Sequence, residues 1–143
     1  MKGTIIGLVC AVSVLALVPT GFGAIKITRI NFDSPGSDTG SNASLNAEWI
    51  RISNTGSTAR KLGGWRIRDV AGHVYVFAPA AKIGAGKTIT VHTGRGSNTV
   101  AHKYWRSDWY IWNNDGDTAR LRNKAGSVVD VCSYSGAGSA VSC

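Results

Sequence analysis

The chain has little acid. Eight Asp and Glu face sixteen Lys and Arg, and Glu48 is the only glutamate. Paired-carboxylate chemistry would therefore have to rest on aspartates. Cysteine is scarce too, with three in 143 residues. None stands in a C-x-x-C pair, and His73, His92 and His102 are far apart in sequence. That excludes the ligand spacings by which zinc motifs are read. The glycine-rich loop Gly94-Arg-Gly-Ser-Asn98 lacks the Gly-Lys-Ser/Thr of a P-loop, and no helical pattern follows it. The serines lack a nucleophile-elbow context. Only one long apolar run is present, Ile5–Val18, and its fourteen residues fall short of the ~20 that a spanning helix needs.

That run belongs to a leader pattern. Lys2 precedes it, and Gly21 and Gly23 supply small residues for cleavage before Ala24. Residues 1–23 are read as a secretory signal, with an uncleaved anchor as the alternative. Removing 23 of the 143 residues leaves 120, enough for one domain with its own core. Losing Lys2 takes the net charge from +8 to +7. Such a charge favours anionic partners such as nucleic acid, acidic polysaccharide or anionic lipid. An ordinary soluble basic domain would carry the same number. Cys132 and Cys143 survive processing and would enter an oxidising compartment. An internal bridge would staple the Gly/Ser-rich tail 136–143. Free thiols or an intermolecular bridge through Cys143 are the alternatives.

The rest of the chain reads as strands and turns, without a convincing helix. Ile25, Ile27 and Ile30 mark a first strand, and Asp33–Asn46 is a long polar loop. Trp49, Arg51 and Ser53 face one way, and Glu48, Ile50 and Ile52 the other. Arg66 and Arg68 alternate with Trp65 and Ile67, as Arg120 and Arg122 do with Ala119 and Leu121. Tyr110-Ile-Trp112 reads as a strand end, and Asn113-Asn-Asp-Gly116 as the turn after it. Many short strands at this spacing predict an all-β, antiparallel sandwich or barrel.

Ala47-Glu-Trp-Ile-Arg-Ile-Ser-Asn-Thr-Gly56 and Leu62-Gly-Gly-Trp-Arg-Ile-Arg-Asp69 resemble two strands of the lamin-tail domain family. Tyr75-Val-Phe77, Ile83-Gly-Ala-Gly86 and Val91-His-Thr-Gly94 resemble the elements that follow. Trp112–Leu121 and Gly126–Asp130 resemble its last hairpin. The matches run in the family's order over about residues 25–135. The resemblance implies an immunoglobulin-like β-sandwich over residues 24–135, of the secreted prokaryotic type, since a leader is present and a coiled-coil rod is not. It implies protein or DNA contacts. Secreted members often accompany extracellular hydrolases, which does not make this chain one.

No convergent catalytic constellation is found, and no cofactor is expected. The binding candidates are the arginine stripes Arg66, Arg68, Arg120 and Arg122, with Arg51, Arg60 and Lys61 near the first in sequence. Parallel arginines on a strand can neutralise successive anionic groups. A solvated outer face is the bland reading of the same residues. Lys103, Trp105, Arg106 and Trp109 form a second candidate, since aromatics among cations suit stacking with phosphate contact. Trp49, Trp65 and Trp112 fit packing. Asp115 and Asp117, with Asp108 nearby, are a weak calcium alternative, and turn capping explains them as well. The sequence points to a secreted, non-catalytic binding module for DNA, acidic polysaccharide or a protein. A self-associating surface protein is the rival.

Overall fold

The computed structural model describes residues 24–143, so the expected leader lies outside the described residues. In chain order its elements begin with β1 (Ile25–Asn31), α1 (Asn42–Ala47), β2 (Trp49–Asn54), β3 (Arg60–Lys61), β4 (Arg66–Arg68) and β5 (Val74–Val76). There follow β6 (Lys82–Ile83), β7 (Thr88–His92), β8 (His102–Tyr104), β9 (Asp117–Arg122), β10 (Val128–Tyr134) and β11 (Ala140–Ser142). One sheet has the order β11-β1-β2-β7-β8 and the other β10-β9-β4-β5, with β3 and β6 forming a small third pair. Pairing is antiparallel except between β7 and β8, which run parallel.

The apolar alternation sets the two facing surfaces. Ile27, Ile50, Ile52, Ile89 and Val91 of the first sheet join Ile67, Tyr75, Ala119 and Leu121 of the second in one buried cluster. Burying each large aliphatic contributes about 1.5–3 kcal/mol. The three-residue step from Ile27 to Ile30 breaks strict alternation. The register against β2 shifts between Ile27 and Arg29, so a bulge at Thr28 returns Ile30 to the core. Trp112 is buried, and Phe32 stacks on Tyr134 with centroids 4.1 Å apart.

Buried polar side chains fasten the connections. Asn54 donates from Nδ2 to the Thr58 and Gly84 carbonyls at 2.8 and 3.1 Å and accepts from Gly56 N–H at 3.0 Å. That explains an Asn two residues before a Gly at the end of β2. Gly63 lies against the Pro79 carbonyl, where any Cβ would collide. Asp69 Oδ1 accepts from Gly72 and His73 N–H, both at 2.7 Å. Asp117 Oδ1 accepts from Val70 and Thr118 N–H at 3.1 and 2.7 Å, and its Oδ2 from Asn113 N–H and Nδ2 at 3.3 and 3.2 Å.

Glu48 is fully buried. Its Oε1 accepts from Thr93 Oγ1 at 2.6 Å, Ile111 N–H at 2.8 Å and Trp112 N–H at 3.2 Å, while Oε2 has no partner. Tyr110-Ile-Trp112 is therefore not the strand end the sequence suggests. Two of its N–H groups go to a carboxylate rather than to a neighbouring strand. Burial pushes the Glu48 carboxyl up from 4.5 to about 7, against the three hydrogen bonds, and Asp38 adds a smaller push in the same direction.

Two further elements depart from the sequence reading. Within the expected loop 33–46, Ser41 caps α1 by accepting from Ser44 N–H, and Leu45 is buried. A six-residue helix is too short to show a 3.6-residue period. The tail adds a strand that its composition does not suggest: residues 140–142 pair with β1 as β11. The internal bridge offered for that tail is present, with Cys132 and Cys143 joined and their Cα atoms 5.8 Å apart.

Two measurements check this account. Cys132→Ser with Cys143→Ser should lower stability by about 2–3 kcal/mol in chemical denaturation, because the closing crosslink restrains the unfolded chain; an unchanged midpoint would contradict it. A raised folded pKa for Glu48 means its contribution is complete below about pH 4.5 and is lost as the pH rises to about 7. That loss is on the order of 3 kcal/mol. Glu48→Gln keeps an acceptor oxygen, so its melting temperature should fall less than that of the wild type between pH 5 and pH 8. Equal falls would refute the buried-carboxyl account.

Candidate functional site

The arginine stripes meet. Ile67 points into the core from β4, so Arg66 and Arg68 point out; Ala119 and Leu121 do the same for Arg120 and Arg122 on β9. The register sets Arg66 opposite Arg122 and Arg68 opposite Arg120. Opposite Cβ atoms lie about 4.5–5.5 Å apart, and a two-residue repeat along a strand is roughly 6.6 Å. Four arginine side chains thus leave the outer face of the second sheet from one compact frame of Cβ positions, with the Arg68 head group lying toward the turn at Gly72.

Valines flank that frame. On β5, Val76 stands opposite Arg66 and Val74 opposite Arg68; on β10, Val128 stands opposite Arg122 and Val131 opposite Arg120. These four valines are 42–51% exposed. No acid neutralises the frame. Among the described residues the ion pairs are His73–Asp69 and Arg95–Asp108. Asp130 Oδ2 is engaged by Ile27 N–H at 2.8 Å. Arg122 Nη1 donates to the Gly126 carbonyl at 2.8 Å, which orients it without removing its charge. Like charges directly opposite destabilise a sheet, and the four side chains start from Cβ positions within about one Debye length, roughly 8–10 Å.

The neighbouring cations fall elsewhere. Arg51 is on the first sheet, opposite Arg29, with its guanidinium 4.6 Å from the centre of the Trp49 ring. Arg60 and Lys61 are on the small third sheet. The second candidate does not form one platform. Trp105 packs against the core, 6.0 Å from Trp112 and 5.8 Å from Tyr75 between centroids. Lys103 Nζ donates to the Thr99 carbonyl and Arg106 Nη2 to the Gly96 carbonyl. Arg106 and Trp109 are exposed, and Trp109 is the exposed aromatic of the segment, at 61%. Asp117 is buried with both oxygens taken, whereas Asp115 is exposed.

Sequence distance hides one pair. His92 and His102 stand on adjacent strands, with Nε2 of His92 and Nδ1 of His102 3.0 Å apart. His92 Nδ1 lies 2.9 Å from the Asn46 carbonyl, so that nitrogen carries the proton and Nε2 accepts from His102. Burial, and then His102, lower the His92 pKa against the Asn46 bond. The alternation of β7 puts His92 on a known face, but only the parallel pairing with β8 brings His102 beside it. Among the described residues no group of three or more His, Cys, Asp or Glu is placed to hold a metal ion. None of their helices is long and apolar enough to cross a membrane.

Relieving one like-charge contact tests the frame. Arg120→Thr should raise stability by about 0.2–1 kcal/mol at low ionic strength, and the gain should shrink in 1 M salt, where the Debye length is ~3 Å. A destabilised variant in thermal melts at low salt would show that the arginines support the fold rather than strain it.

The family model described as Lamin Tail Domain matches residues 19–136. The match covers most of the chain, which belongs to this family of immunoglobulin-like, non-enzymatic domains. No curated protein matches the chain.

Proposed function

We propose that this member of the lamin-tail domain family is a secreted, non-catalytic module that binds an anionic partner on the outer face of its second sheet. One observation carries the reading: Arg66, Arg68, Arg120 and Arg122 are placed opposite one another in register, and no acid answers them. An arrangement that strains the free protein is relieved when an anion arrives. Arginine suits the task, because its planar fork binds phosphate or carboxylate oxygens in pairs and sheds water readily. DNA and acidic polysaccharide are the partners of that chemistry. An internal disulfide and the leader pattern of residues 1–23 are compatible with work outside the cell.

A second reading has its own observation. β5 is the edge strand of the second sheet, and its outward residues, Val74 and Val76, are exposed valines rather than charges. Such an edge accepts another strand. Self-association through it would appear as growth in size with concentration in light scattering, independent of any added polymer.

A salt titration separates the two. Duplex DNA and heparin should bind at low salt, with affinity falling steeply as salt rises. Changing all four arginines to Gln should flatten the DNA slope by roughly 3–4, since each phosphate contact contributes about 0.9. If neither polymer binds at low salt, or the variant binds like the wild type, the reading fails.

A further inference from the structure

A cleft apart from the arginine face remains without a role. It has a volume of about 470 Å³ and is lined by Asp38, Trp109, Tyr110, Asn114 and Asp115, with buried Trp112 also contributing. That size lies within the range of small-ligand sites, roughly 300–1,000 Å³. No Lys or Arg lines it, and two carboxylates do.

Trp109 is the unusual member. A tryptophan 61% exposed leaves a large apolar surface in water, yet this one is held in place. Ser107 Oγ accepts from its N–H at 3.2 Å and donates to its carbonyl at 2.6 Å. The six-membered part of the indole rests against Gly40, where a Cβ would lie 2.6 Å from Cζ3. Tyr110 packs edge-on with centroids 5.4 Å apart. The Tyr110 hydroxyl bonds Ser44 Oγ and accepts from Gly40 N–H at 3.3 Å, tying the loop before α1 to the segment after Trp109. The indole is a preformed flat surface rather than a loose side chain.

Polar groups surround it with spare capacity. Asn114 Nδ2 reaches Asp33 Oδ1 and Asp38 Oδ2 only at 3.4 Å each, the long limit of a hydrogen bond. Asp115 is exposed. A flat aromatic face beside carboxylates and an amide matches the two faces of a sugar. The C–H face of the ring lies on the indole, and the hydroxyls donate to carboxylates and accept from Asn114.

We propose that this cleft binds a neutral saccharide, stacked on Trp109 and hydrogen-bonded by Asp38, Asn114 and Asp115. The two carboxylates, with no cation beside them, select against uronic acids, sulfated sugars and nucleic acid. The site is therefore independent of the arginine face and opposite to it in charge preference.

The test is an array of neutral glycans, including cello- and chito-oligosaccharides, followed by tryptophan-fluorescence titration of the strongest binder. The full exported chain should bind at least one neutral glycan saturably. Trp109→Ala should weaken that binding at least tenfold, and Asn114→Ala should weaken it as well. Trp109→Tyr, which keeps an aromatic surface, should retain part of it and covers the case in which the alanine variant fails to fold. Replacing all four arginines with Gln should leave neutral-glycan binding unchanged. The proposal is overturned if no neutral glycan binds, or if binding survives both Trp109→Ala and Asn114→Ala. Capture of acidic glycans alone, abolished by the arginine changes, would support the sheet face and overturn the cleft.

Discussion

The Glu48 carboxylate holds this molecule together where its strands do not. Between β8 and β9 the chain runs from residue 105 to 116 without regular structure, and its N–H groups need partners somewhere. One buried oxygen supplies them to Ile111 and Trp112 and takes the Thr93 hydroxyl as well. This seats Trp112 in the core and sets the path of the segment that carries Trp109. The cost is a carboxyl forced toward its neutral form in a dry site.

The few other acids follow the same economy. Asp69 and Asp117 are buried and spend their oxygens on loop N–H groups, and Asp130 reaches across to β1. Half of the chain's eight acidic residues are thus consumed in fastening connections between strands. Basic residues such as Lys103, Arg106 and Arg122 bond at most a nearby carbonyl, which leaves their charge unanswered. The positive surface follows both from the count of charges and from where the negative ones are needed. The cleft at Trp109 is the exception, because Asp38 and Asp115 are there on a rim.

Much of this was legible in the residues. Alternation in β2, β4 and β9 identified their inward faces, and the run of motifs from Glu48 to Asp130 identified the family that the match over residues 19–136 shows. The outward direction of Arg66, Arg68, Arg120 and Arg122 was legible too. Other features were hidden for definite reasons. Helix α1 has six residues and offers no period. Trp105 sits in a segment with no strand period, so its burial against Tyr75 and Trp112 left no mark in the sequence. The Gly/Ser-rich tail shows no strand period, so the pairing of β11 with β1 was hidden, although the disulfide that keeps it there was expected from the two cysteines.

The sequence by itself determined which side chains leave each sheet, because a strand turns successive residues to opposite faces and only one face can be buried. It determined the excess of positive charge as well. Tertiary structure alone decided which outward residues become neighbours. Strands β4 and β9 are some fifty residues apart in the chain, and their register set Arg66 against Arg122 and Arg68 against Arg120. It also parted Arg51 from that group, brought His92 to His102, and left Trp109 in water while drawing Trp105 inward. Pairing between distant strands is set by the packing of the whole core, and no local pattern records it.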